Sequence, residues 1–155
     1  MVAQQTKDER YALLTEQVRA LVAGETDVVS VMANVSAAIH ETMGFFWTGF
    51  YVAKGGELAL GPFQGSVACY HIPFDRGVCG AAYSRRETVV VPDVEEFPGH
   101  IACSSLSRSE IVVPVFGADS RVAAVLDIDS KDLSTFDDTD RRHLEQIAAI
   151  LTPLF

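Results

Sequence analysis

Apolar positions along the chain follow two different rhythms. From residue 7 to 23, Tyr11, Leu14, Val18 and Leu21 fall at three- and four-residue steps, and from 27 to 43 Val28, Met32, Val35 and Ile39 do the same. That period predicts two amphipathic helices, parted at Gly24. The stretch FFWTGFYVAKGGELALGPF breaks the rhythm with dense aromatic and aliphatic residues around Lys54-Gly55-Gly56. It predicts a β-hairpin of Phe45–Ala53 and Glu57–Leu60. Further strands are expected at Ala68–Pro73 and at the β-branched run Thr88–Val91, which Pro92-Asp93 ends, with a short helix from Arg76 to near Arg86 between them. Glu110–Phe116 and Arg121–Ile128 form a second predicted hairpin around Gly117-Ala118-Asp119-Ser120. Asp137 then caps a last helix whose Leu144, Ile147 and Leu151 face inward.

This order predicts an α+β domain with a central antiparallel sheet of about five or six strands. The N- and C-terminal helices would pack on one face, and pocket loops from the irregular middle would cross the other. A length of 155 residues, 48% apolar, with a mean hydropathy of +0.19, suits one domain, 1–155, with a single buried core. Twelve basic against 21 acidic residues give a net charge of -9, which disfavours a nucleic-acid partner. The opening MVAQQTKDER is polar, and no apolar run is long enough for a signal peptide or a membrane span, so a cytoplasmic location is expected. The helices at both termini offer a surface for a homodimer.

The three cysteines are an odd number without a CxxC spacing, which in a reducing compartment reads as free thiols rather than a staple. Nearly all Cys and isolated charges near apolar strands lie between residues 69 and 129, which places a pocket over the open sheet face. The segment FPGHIACSSLSRSE (97–110) has neither helical nor strand period and is built to present Cys103. Asp127 and Asp129 alternate with Ile128 on a strand, so both carboxylates point to one face while Ile128 enters the core. Trp47 and Tyr51, four residues apart on one strand, likewise share a face.

Several of these stretches together resemble the free-methionine-(R)-sulfoxide reductases, a branch of the GAF-domain fold. They are GPFQG (61–65), the cysteine at 69, IPFDRGVCG (72–80), VPDVEEFPGHIACSSLSRSE (91–110) and VLDIDS (125–130), within a similarity running from about Phe45 through Phe136. The resemblance implies that Cys103 attacks the sulfoxide, that Cys69 resolves the product as a disulfide, and that Cys79 is the family's third cysteine, a possible alternative resolving thiol. It implies three substrate-facing acids at Glu110, Asp127 and Asp129, an aromatic wall at Trp47 and Tyr51, thioredoxin as reductant, and no metal or other bound cofactor. The same fold also serves noncatalytic small-molecule and redox sensors, which have no need of thiols at both 69 and 103.

The residue types fit the implied chemistry. A sulfoxide needs a soft nucleophile and an acid converging on one S=O group, and the resulting sulfenic acid needs a second thiol. A free amino acid also brings an ammonium group, which carboxylates must meet when it leaves water. The backbone N–H groups of the Gly99–Cys103 turn are candidates for the substrate carboxylate.

Plainer roles remain open for individual residues. Cys79 ahead of Gly80-Ala81-Ala82 suits a small core residue. Cys69-x-His71 and His100-x-x-Cys103 have loose zinc-ligand spacing. His40 and His143 read as solvated helix residues, and Arg108 as a salt-bridge anchor of its loop.

Overall fold

The computed structural model describes residues 3–155. Helix α1 (Lys7–Val22) starts at Thr6, whose hydroxyl accepts from the Glu9 N–H while Glu9 reaches back to the Thr6 N–H. This reciprocal cap satisfies two otherwise orphaned donors. Helix α2 (Val28–Met43) is capped by Asp27 and ends at Gly44 in the left-handed conformation. Strands β1 (Trp47–Lys54) and β2 (Glu57–Gln64) make the first hairpin, followed by the two-residue β3 (His71–Ile72). Helix α3 (Gly77–Arg85) and strand β4 (Val89–Val91) lead to the second hairpin, β5 (Ser109–Phe116) and β6 (Val122–Ser130). Helix α4 (Asp138–Leu151) carries a second reciprocal cap, between Asp137 and Asp140.

The six strands form one antiparallel sheet in the order β3-β2-β1-β6-β5-β4. Alternation along the strands divides the core in two. Phe50, Ile111, Val113, Val115, Leu126 and Ile128 face one side, where they pack with Tyr11, Leu14, Ile39, Leu144 and Ile147 of α1, α2 and α4. Trp47, Tyr51, Val112 and Val125 face the other, under α3 and the irregular segments. The expected α+β layering is therefore present, with three helices on one face and α3 on the pocket side.

Three expectations need correction. The strand Ala68–Pro73 shrinks to His71–Ile72, because the Tyr51 hydroxyl donates to the Cys69 carbonyl (3.0 Å) and bends the chain over the sheet. His143 is not solvated. It is 9% exposed, stacks on Tyr11 at 5.0 Å between ring centroids, and sets Nε2 2.7 Å from Asp8 Oδ1, so α1 covers the face of α4 that carries it. His40 is half-buried too. Arg108 holds its loop by backbone rather than by a salt bridge. Its N–H donates to Ser130 (2.7 Å), its carbonyl accepts from Val94 (3.0 Å), and the side chain is exposed with no ion pair among the described residues. No helix among these residues is long and apolar enough to cross a membrane.

Candidate functional site

The site is written into the strand register. Glu110 pairs with Asp129, and Asp129 pairs with Trp47, so one row across β5, β6 and β1 carries acid, acid and indole. The next row on the same face is Val112, Asp127 and Gly49. Because facing residues two apart on a strand share a side, these two rows form one polar floor with an aromatic end.

Gly49 is what lets Trp47 lie flat over that floor. A Cβ there would meet the Phe63 Cβ at 2.3 Å and the indole at 2.7 Å. Gly65, at φ +133°, makes a second close approach, since its Cβ would fall 2.6 Å from the indole. Trp47 is further fixed by stacking on Phe63 (5.1 Å) and by donating its N–H to the Ser66 carbonyl (2.9 Å). Together with the Tyr51 bond to Cys69, this anchors the 66–69 segment against the aromatic wall.

Cys69 and Cys103, 34 positions apart in sequence, are joined in a disulfide with Cα atoms 5.6 Å apart. The bridge ties the segment after β2 to the 97–108 loop across the pocket. A metal held by both sulfurs would need the bridge reduced, since a disulfide offers no thiolate ligand. His71 belongs elsewhere, exposed, with Nδ1 2.5 Å from Glu57.

Beneath the bridge lies a cavity of about 40 Å³, lined by Trp47, Tyr51, Cys79, Cys103 and all three acids Glu110, Asp127 and Asp129. Every site residue expected from the sequence reaches it except Cys69, which stands at its rim through the disulfide. Cys79 is more than a small core residue. It is the free thiol, buried, and α3 lowers it onto the floor beside Glu110 and Asp127. Ser107, His100, Ile101 and Val78 also line the cavity. Of these, only His100 had a sequence signal, as a possible ligand beside Cys103.

Burial dominates the electrostatics. It pushes Glu110 well above the ordinary carboxyl range, and the charges of Asp127 and Asp129 push it further. Asp129 is raised the same way, first by burial and then by Asp127, while Ser107 works against the rise. Asp127 is raised by burial, with contacts from Glu110 and Cys79 opposing. Burial also lifts the Cys79 thiol well above its usual value, aided by the three carboxylates. His100 moves down through burial, partly offset by Asp127. Its Nε2 stands 3.8 Å from Glu110 Oε1, beyond hydrogen-bond length. Burial thus favours the protonated form of all three carboxyl groups on the floor.

The 97–103 turn supplies fewer free donors than the sequence suggested. The His100 N–H is bonded to Phe97 and the Cys103 N–H to Ile101, each at 3.2 Å. That leaves the amides of Gly99, Ile101 and Ala102 as candidates for an anionic group.

Comparison with known proteins agrees with this geometry. The GAF domain pattern matches residues 25–153. The chain is 48% identical to GAF domain-containing protein A of Dictyostelium discoideum, over 97% of this chain and 95% of that one. It is 44% identical to the free methionine-R-sulfoxide reductase of Escherichia coli, over 94% of this chain and 88% of that one. The crystal structure of the free methionine-R-sulfoxide reductase of Neisseria meningitidis, in complex with its substrate, superposes with a TM-score of 0.94 at 49% identity, covering 98% and 92% of the two chains. With fold and sequence both shared over nearly its whole length, the chain belongs to the GAF domain family, on its free methionine-R-sulfoxide reductase branch.

Proposed function

We propose that the protein reduces free L-methionine-(R)-sulfoxide to methionine by a cysteine sulfenic-acid and disulfide cycle, with thioredoxin as reductant. The observation that carries this reading is the Cys69–Cys103 disulfide standing at the rim of a cavity floored by three carboxyl groups. The relatives' activity supports the substrate, and the R stereochemistry comes from them as well.

In the cycle, the Cys103 thiolate attacks the sulfoxide sulfur while a buried carboxylic acid donates a proton to the oxygen. The S–O bond is exchanged between sulfurs: methionine leaves, and Cys103 becomes a sulfenic acid. Cys69 displaces water from that acid to form the disulfide, and two electrons from an external dithiol restore both thiols. Thioredoxin, poised at roughly -270 mV, is suited to that step. Glu110, raised by burial beside Asp127 and Asp129, serves as the proton donor. Asp127, whose Oδ1 has no hydrogen-bond partner among the described residues, receives the ammonium group. Trp47 and Tyr51 pack on the methylthio end.

Turnover of free methionine sulfoxide with thioredoxin, thioredoxin reductase and NADPH tests the reading. Wild type consumes NADPH and Cys103→Ser does not; full activity in Cys103→Ser would falsify the assignment of the nucleophile.

A further inference from the structure

One group on the cavity floor has no task in that cycle. Cys79 forms no disulfide, yet its Sγ, a Glu110 carboxyl oxygen and an Asp127 carboxyl oxygen all lie within 4.8 Å of one another, and all three residues are buried. A separate observation points to a missing occupant. Asp127 is 6% exposed and lines the cavity, but its Oδ1 has no hydrogen-bond partner among the described residues. Leaving a buried carboxylate oxygen unpaired is costly, and such positions are ordinarily filled by a donor, a water or a cation.

We propose that Cys79, Glu110 and Asp127 form a binding site for a thiophilic divalent cation of the zinc class. The donor set selects the ion. One thiolate with two carboxylates is a mixed soft and hard set, suited to zinc, cobalt or cadmium, whereas magnesium and calcium require six or more oxygen ligands. Bond lengths of about 2.3 Å to sulfur and about 2.0–2.2 Å to oxygen place tetrahedral donors about 3.4–3.6 Å apart. The three groups, within 4.8 Å of one another, therefore need to close by at most about 1.2–1.4 Å, within the reach of side-chain rotation. Binding expels the thiol proton and the proton held by the carboxyl groups to solvent, and the fourth position is left to water or to His100, whose Nε2 stands 3.8 Å from Glu110 Oε1.

This cation is an inhibitor rather than a resident cofactor. It occupies the carboxyl groups that the substrate's ammonium and sulfoxide oxygen would use, so the two exclude each other; that consequence rests on the reductase reading, while the site itself does not.

Anaerobic titration of the oxidised protein with cobalt(II) tests the site directly. The sequence has three cysteines, and with Cys69 and Cys103 bridged, Cys79 is the one thiol able to produce a sulfur-to-cobalt charge-transfer band in the near ultraviolet. The expected result is a band that saturates at about one cobalt per chain and is bleached by zinc. Asp127→Asn weakens binding about tenfold or more, in line with the loss of a metal-site carboxylate. Absence of the band in the wild type, or its survival in Cys79→Ser, overturns the proposal, and the wild-type result decides even where a variant folds poorly. No substrate or reductant enters this measurement, so its failure leaves the turnover assay untouched, and failed turnover leaves the cation site standing.

Discussion

Glu110 and Asp129 stand directly opposite each other across β5 and β6, two carboxyl groups on one floor with Asp127 two residues along. Such an arrangement favours ligand binding at the expense of the fold. Glu110 has a folded-state pKa raised above that of the unfolded chain, so its protonated form is the one the fold accommodates. Its contribution is therefore fully present below the ordinary carboxyl range. As pH rises, the unfolded chain loses its proton first and stability falls, until the folded group ionises as well. Glu110→Gln removes this dependence. Thermal unfolding should show wild type and variant nearly equal near pH 4, with the variant gaining steadily towards pH 8, by about 2–4 °C for each kcal/mol recovered. A gap that stays constant across this range would mean that the carboxyl is not protonated in the fold.

If Cys69 resolves the sulfenic acid, its loss separates the two halves of the cycle. Cys69→Ser should release about one methionine per chain in a rapid first turnover and then stall, since hydroxyl cannot displace water from a sulfenic acid. A dimedone adduct on Cys103, found by mass spectrometry, checks this. Sustained thioredoxin-dependent turnover would transfer the resolving role to Cys79.

Asp127 is assigned to the substrate ammonium, so its effect should depend on whether that ammonium is present. Asp127→Asn is expected to lower kcat/KM for free methionine sulfoxide about 10–100-fold, the worth of a charge-assisted hydrogen bond in a buried site. Methionine sulfoxide inside a peptide lacks the free ammonium and should be a poor substrate for wild type. Equal rates on the free and peptide forms would remove the ammonium site.

Much of this site was legible because its parts obey local periodicity. Asp127 and Asp129 flank Ile128, and a period of two is enough to put both acids on one face and Ile128 in the helix-covered core. Trp47 and Tyr51 follow from the same rule. What escaped depends on contacts between distant segments. Cys79 reaches the acids only because α3 crosses over the sheet, and nothing in Gly77-Val78-Cys79-Gly80 encodes that crossing. His143 looks like a solvated residue on an amphipathic helix until Tyr11, 132 positions earlier, is found stacked on it. The strand at Ala68 failed for the same reason, since the Tyr51 bond to the Cys69 carbonyl outweighs strand propensity. The pairing of Cys69 with Cys103 was available only through resemblance.

Gly49 couples the fold to the aromatic wall. Gly49→Ala should displace Trp47 and lower stability by about 1–3 kcal/mol, the usual cost of overpacking, because the added methyl group collides with the Phe63 backbone as well as the side chains. Trp47 is the single tryptophan, so its fluorescence reports the pocket alone. A shifted emission maximum together with a lowered Tm is expected; an unchanged spectrum would show that the indole is not seated over residue 49.

The reaction starts from Cys103 as a thiolate, so substrate meets the reduced protein, in which no covalent tie holds the 97–108 loop to Cys69. Release of the bridge lets that loop move aside and widen the cavity, which is about 40 Å³ in the disulfide form. The loop is suited to this. Its internal backbone bonds are the single-turn contacts His100 to Phe97 and Cys103 to Ile101, with Leu106 bonded to the Ser104 hydroxyl, and its anchors lie at its two ends, Phe97 on Val94 and Arg108 on Ser130 and Val94. Segments with so few bonds lie at the low end of local stability once a covalent tie is cut. Hydrogen exchange followed by mass spectrometry should show amides 97–107 exchanging faster in the reduced protein, by a factor of ten or more, while β1, β5 and β6 stay protected. Methionine should then bind the reduced protein and not the oxidised one, measured by quenching of Trp47. Equal protection of the loop in both redox states, with equal affinity for methionine, would place the entrance elsewhere than under the disulfide.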